Sequence, residues 1–198
     1  MVSKAKDRRN PHSFAVSISG KDIIGSVRVN IEFWKAASAA ISPVHAVIAP
    51  IRIARGPGAG MQTFVPTADL PEIFADKVFA LGARPYLKPR DVFDLHWLHV
   101  QGGFRECSPD DIQIRLDTYP LETPADWIEK AVSRLTTLSH AEDEILADLR
   151  RWLPASWPLD SSAVADMART AGMALERGIE VMRGIDAGID DDAEAGPR

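Results

Sequence analysis

The sequence predicts an α+β protein: a small antiparallel or mixed sheet from residues 13–66, then a C-terminal helical bundle. Three observations predict it. Between Ser13 and Val65 the apolar residues fall in short strand-like runs divided by Gly and Pro. From Leu70 onward they recur at spacings of three and four, the period of an amphipathic helix. The 45% hydrophobic and 26% charged content is that of a globular chain. No apolar run approaches the roughly 20 residues that span a bilayer.

The elements follow in order. Residues 1–12 are polar and basic and are expected to form a disordered tail; no apolar segment follows them as in a secretory signal. Ser13 to Ser19 and Ser26 to Trp34 read as strands, with Gly20, Lys21 and Asp22 as the hairpin turn. In the second run Val27, Val29, Ile31 and Phe33 share one face, and Arg28, Asn30, Glu32 and Trp34 the other. His45 to Ala54 is a third strand, placed at an edge or broken by Pro50. Residues 55–60, RGPGAG, form a turn; with no Lys-Ser/Thr following, they are not a phosphate loop. Met61 to Val65 is a short strand.

Asp69 then caps a helix, with Pro71 in its first turn and Glu72 completing a capping box. Its stripe is Leu70, Ile73, Phe74, Val78 and Leu81, and Gly82 ends or weakens it. Pro89 opens a second helix that runs to about Val100. Further helices are expected over Pro109–Leu116, Ala125–Leu138 with a stripe of Trp127, Ala131, Leu135 and Leu138, and Glu142–Leu153 with Ile145, Leu149, Trp152 and Leu153. The last begins near Asp160 and carries Val164, Met167, Ala168, Ala171, Leu175, Ile179 and Met182. The acidic tail is expected to be loose. The chain thus divides into a tail (1–12), a sheet with the two central helices (13–104), a helical region (105–187) and an acidic tail (188–198), with no internal repeat.

Two features break the helical pattern. Lys77 falls inside an apolar stripe, and Asp91 and Asp94 lie one turn apart on the face continued by Leu95 and Leu98. A charge on a core-facing stripe is costly unless it is paired or faces a polar cavity. One lysine and two aspartates are therefore expected to turn inward, toward each other or toward a shared ligand. A structural network of ion pairs accounts for them as well as a binding site does. Charge is also uneven along the chain. Residues 1–104 carry 13 Lys/Arg and 8 Asp/Glu, and residues 105–198 carry 10 and 20. Lys77, Arg84, Lys88 and Arg90 stand in a stretch without a single acid, which suits phosphate, although an acidic half docking on a basic one explains the asymmetry too.

Glu72, the run ending at Lys77, Ala80-Leu81, Arg84, Arg90-Asp91 and Asp94-Leu95 form an ordered pattern, E-x-x-x-x-K, then A-L, R and R-D-x-x-D-L. It resembles the C-terminal part of the AbiEii/AbiGii nucleotidyltransferase toxins of type IV toxin–antitoxin systems, and covers about a third of the chain. The resemblance implies a toxin that transfers a nucleotide from an NTP to RNA, often tRNA, with a cognate antitoxin as partner. It makes Lys77, Arg84 and Arg90 the nucleotide-binding cations and Asp91 a polar active-site residue beside Lys77. Asp94 becomes a supporting residue, and Glu32, within VRVNIEF, the carboxylate of a neighbouring strand that would help hold Mg²⁺. A carboxylate-held Mg²⁺ pair would activate the attacking oxygen and neutralise the pyrophosphate. The sequence departs from the family in its first part. Gly25-Ser26 is its sole Gly-Ser pair, and no Asp-x-Asp follows it in that part of the chain; Asp190 to Asp192 lies in the tail and does not substitute. A truncated product is the first expectation; a degenerate copy that binds nucleotide, RNA or antitoxin without transfer, or a variant with relocated carboxylates, are the others.

Other candidates carry less. His96 and His99 lie one turn apart beside Asp94, without a third metal ligand in the pattern. Cys107, the single cysteine, has no visible catalytic partners, and its isolation points to a cytoplasmic, reducing compartment. The five tryptophans fall mostly at stripe positions and read as core rather than as stacking platforms for bases.

Overall fold

A computed structural model of the chain describes residues 2–4, 13–18, 27–32, 46–52, 59–102, 108–118 and 123–194. The fold is α+β, with short antiparallel strands first and helices after. The expected turn at Gly20–Asp22, the Gly25-Ser26 pair, Trp34 and Cys107 lie outside the described residues, as do the side chains of Glu32 and of residues 185–194.

The chain forms two compact units, Met1–Ser38 and Ala39–Arg198. The first holds an antiparallel sheet of β1 (Val2–Lys4), β2 (Ser13–Ile18) and β3 (Val27–Glu32), with β2 in the centre. β1 lies within the stretch expected to be loose: Val2 pairs with Val16 and Lys4 with Phe14, so the edge of β2 is hydrogen-bonded rather than open. β3 pairs with β2 from Val27–Ile18 to Glu32–Ser13.

The second unit begins with a hairpin of β4 (Ala46–Arg52) and β5 (Gln62–Ala68). Pro50, opposite Phe64, sits on a two-stranded ladder, where a missing N–H is tolerated. β5 runs three residues past the expected Val65. Among the described residues six helices follow: α1 (Leu70–Ala83), α2 (Pro89–Val100), α3 (Pro109–Thr118), α4 (Pro124–Leu138), α5 (Glu142–Leu149) and α6 (Ser161–Glu194). α6 packs against each of the other five and is the axis of the bundle. Its predicted stripe is buried at Val164, Met167, Ala171, Leu175, Ile179 and Met182. Helices α1 and α2 share this core with α4–α6, on both sides of residue 104.

Trp127 of α4 is the fully buried centre. Its Nε1 donates to the Phe79 carbonyl at 3.0 Å, and its ring stacks on Phe79 with centroids 6.0 Å apart. Two glycines make room for the ring. A Cβ on Gly82 would lie 2.5 Å from Trp127 Cε2, and one on Gly178 3.1 Å from Cη2. Gly82 therefore does not end α1, which continues to Ala83; it is the place where α4 approaches.

Three further expectations are corrected. Leu70 is exposed, because the first residue of α1 precedes the packed turns. α5 stops at Leu149 rather than Leu153: Pro154 disfavours helical backbone at the residue before it, and the chain leaves through turns. α6 reaches Glu194, so much of the acidic tail continues a helix already anchored in the core.

Candidate functional site

The N-terminus of α2 and the last two turns of α1 build the site. Asp69 caps α1 by accepting from the Glu72 N–H at 2.8 Å, which holds the helix start. Lys77 lies two turns into α1, and Arg84 is its C-cap residue, donating its own N–H to the Ala80 carbonyl at 3.1 Å. Residues 84–88 turn the chain, and Pro89 opens α2 with Asp91 in the first turn. A carboxylate there meets unpaired N–H groups and the positive end of the helix dipole, while a cation at the end of α1 meets the negative end. The two helix termini thus favour opposite charges where they meet.

Lys77 Nζ donates to Asp91 Oδ1 at 3.0 Å and to Asp94 Oδ2 at 2.6 Å. Arg84 Nη1 donates to the other Asp91 oxygen, Oδ2. Asp91 is fully buried and bridges two cations that both reach solvent. Burial alone would lower the Lys77 pKa; the hydrogen bonds and charges of Asp94 and Asp91 together outweigh it, and the net shift is upward. Lys77 is therefore a cation at neutral pH. Lys88, just before α2, is pushed the other way, by partial burial first and then by the positive charges of Arg84, Lys77 and Arg90, against the attraction of Asp91. An anion bound here would relieve that repulsion.

The inward turn of Lys77, Asp91 and Asp94 is as the sequence predicts, and the structure adds Arg84 to them. Arg90 goes elsewhere: its guanidinium carbon lies 4.1 Å from the Trp152 ring centroid. Glu32 closes β3 in the other compact unit, and its backbone pairs opposite Ser13.

Two buried arginines were missed from the sequence. Arg134 of α4 donates Nη2 to the Arg84 carbonyl at 2.7 Å and Nε to the Leu81 carbonyl at 3.3 Å, so it covers the carbonyls that end α1 and holds the Arg84 backbone. Arg115 of α3 donates to the Glu72 carbonyl at 2.9 Å and to Glu72 Oε1 at 2.8 Å, and pairs with Asp76 at 3.0 Å. The Glu72 carboxylate, expected in a capping box, is thus engaged by Arg115. The signal was present: Arg134 follows Trp127 and Ala131 at i+7 and i+3, a charge inside a stripe like Lys77. His96 faces Thr170 of α6, with Nδ1 3.3 Å from the hydroxyl oxygen.

The donor set does not fit a divalent cation. Both aspartates already accept from Lys77 or Arg84, and among the described residues no three His, Cys, Asp or Glu converge. What the arrangement can do is hold ammonium and guanidinium groups side by side on a buried carboxylate, facing an anion. Among the described residues no helix is long and apolar enough to cross a membrane.

No curated protein and no solved structure matches the chain. Residues 4–146 match the family described as "Nucleotidyl transferase AbiEii toxin, Type IV TA system"; α6 and the connector before it lie beyond the match. With more than half of its length inside that match, the chain belongs to the AbiEii family of nucleotidyl transferase toxins of type IV toxin–antitoxin systems.

Proposed function

We propose that this chain transfers a nucleotide from an NTP to RNA, with tRNA the expected acceptor, in the cytoplasm and under the control of a cognate antitoxin. The observation that carries the reading is the buried Asp91 holding Lys77 and Arg84 side by side, in a chain of the AbiEii family. Lys77 and Arg84 bind the triphosphate, with Lys88 adding charge at the start of α2. Asp91 orients both cations, and Asp94 holds Lys77 from the second side. Fixed cations suit phosphoryl chemistry because they need no reorganisation as charge develops on the leaving phosphate. The Mg²⁺ that the family's chemistry implies has no ligand set among the described residues, and these roles do not depend on it. Arg90, turned toward Trp152, serves the acceptor side rather than the triphosphate.

A second reading, a nucleotide- or antitoxin-binding module without transfer, draws on the charge balance: both aspartates already carry cations. One assay separates the two. The purified protein is incubated with labelled NTPs, Mg²⁺ and total tRNA, beside Lys77→Ala and Asp91→Ala with their folds checked by circular dichroism. Label on tRNA that both substitutions abolish is the expected result. Saturable NTP binding that Lys77→Ala weakens, without transfer, selects the binding module. Neither transfer nor binding would reduce the cluster to a structural network.

A further inference from the structure

Three of the five tryptophans are not core. Trp152 is 56% exposed, and Trp157 and Trp97 are each 41% exposed. They are also not scattered. Arg90, Phe93 and Trp97 occupy i, i+3 and i+7 of α2, one stripe about 10 Å long. Arg90 lies over the Trp152 ring, and Phe93 meets Trp157 edge to face with centroids 5.6 Å apart. Both connector tryptophans are held by the turns after α5: the Trp152 N–H donates to the Leu149 carbonyl at 3.0 Å, and the Trp157 N–H to the Pro154 carbonyl at 2.9 Å. Phe93 is half-buried against the core and Trp97 stands on α2, while the turns around Pro154 leave Trp152 and Trp157 open to water; three exposed tryptophans so placed are more than the singly exposed apolar residue common on any surface.

The connector that holds the two tryptophans is locally basic. Residues 105–198 are strongly acidic, yet 150–159 carry Arg150 and Arg151 and no acid. Arg151 and Lys88 border a groove of about 460 Å³ with Tyr86 on its wall; Glu144 and Asp148 lie on the same groove, and Arg151 is 3.6 Å from Asp148. Cations next to exposed aromatic faces suit a ligand that is both planar and anionic. Unpaired nucleotides are such a ligand: every base has a face that stacks on Trp or on a guanidinium plane, and every phosphate needs a cation. Trp, Phe and Arg are enriched at protein interfaces as well, but lysine is depleted there, and Lys88 on the neighbouring groove favours the nucleotide.

We propose that Arg90 with Trp152, Phe93 with Trp157, and Trp97 form a stacking platform for unpaired nucleotides of the RNA acceptor. The platform rests on the transferase reading for the identity of its ligand as the acceptor. It lies beside the phosphate cluster, since Arg90 and Asp91 are consecutive on α2. Its connector half is outside the residues matched to the family.

The test is fluorescence anisotropy of a labelled short single-stranded oligoribonucleotide titrated with the full chain, without NTP. Wild type is expected to bind saturably, more tightly than it binds a duplex of the same length, and to weaken as salt rises. Trp152→Ala is expected to weaken binding about tenfold, the effect of one lost stack. Trp152→Phe keeps a ring and most of the affinity. Arg90→Gln removes the second stacked plane and lowers both affinity and salt dependence. Wild-type binding unchanged in Trp152→Ala and Arg90→Gln overturns the platform, as does no binding by wild type. So does loss of antitoxin capture, with RNA binding intact, in the same variants. The tRNA-labelling assay keeps the two readings apart. Labelling by wild type with unchanged oligonucleotide affinity in the variants removes the platform alone. Weakened affinity in the variants without any labelling removes the transferase alone.

Discussion

Replacing Asp91 by alanine removes the one carboxylate shared by two cations. Lys77 keeps Asp94 at 2.6 Å, but Arg84 loses its ion pair within the cluster. Removing one partner of a fully buried pair costs about 3–5 kcal/mol, mostly for the charge left behind. Here the remaining charges are not fully buried: Lys77 is 27% and Arg84 31% exposed, and water takes up part of the loss. The expected destabilisation is therefore about 2–3 kcal/mol, or a fall in Tm of about 5–10 °C for a chain of this size. Asp94→Ala is the control. It removes one hydrogen bond from a side chain that is 38% exposed, and about 1 kcal/mol or less is expected. Equilibrium urea unfolding followed by far-ultraviolet circular dichroism measures both. If Asp91→Ala proves no more destabilising than Asp94→Ala, Asp91 does not organise the cluster, and its role in aligning Lys77 and Arg84 falls with it.

Two other perturbations test the packing around the site. Gly82→Ala places a Cβ 2.5 Å from Cε2 and Cζ2 of the buried Trp127, and the helix propensity gained is smaller than the overpacking, so urea unfolding should show a net loss of about 1–3 kcal/mol. An unchanged midpoint would mean that the α1–α4 contact has slack. Burial pushes the His96 pKa below 6.5; Asp166 opposes that shift, and His99 and Arg169 add to it. A lowered histidine favours the native state fully above its unfolded pKa, and that contribution is lost as pH falls through the folded value. Unfolding midpoints should therefore drop on acidification below about pH 6.5, and His96→Asn should flatten that part of the profile. A wild-type profile that His96→Asn leaves unaltered would refute the assignment.

The elements and the polar centre of the site were legible because both are local signals. Helical periodicity marked α1, α2, α4 and α6. Asp69 before Pro71 marked the start of α1, and Lys77 inside a stripe marked an inward charge. The spacing from Glu72 to Asp94-Leu95 marked the family. Arg134 carries the same kind of signal, a charge inside the stripe of Trp127 and Ala131. A long arginine at a stripe position has several carbonyls and carboxylates in reach, and a one-dimensional pattern does not say which. Trp152 was read as core for a related reason. It continues the α5 stripe only if α5 continues, and Pro154 ends that helix early enough to leave the ring outside.

By itself the sequence determined the order of most strands and helices, the resemblance to the family and the presence of an inward-turned lysine with two aspartates, because periodicity and spacing act over a few residues; β1 and the ends of β5, α5 and α6 it did not give. Tertiary structure decided that Asp91 holds Arg84 as well as Lys77, that Arg134 fixes the Arg84 backbone, and that Arg90 leaves the cluster for Trp152. Those outcomes depend on the turn at 84–88 and on the packing of α1 and α4 against each other, with α6 as the axis of all the helices. Such contacts join residues far apart in the chain, and only their shared burial selects one partner among the many that charge alone permits.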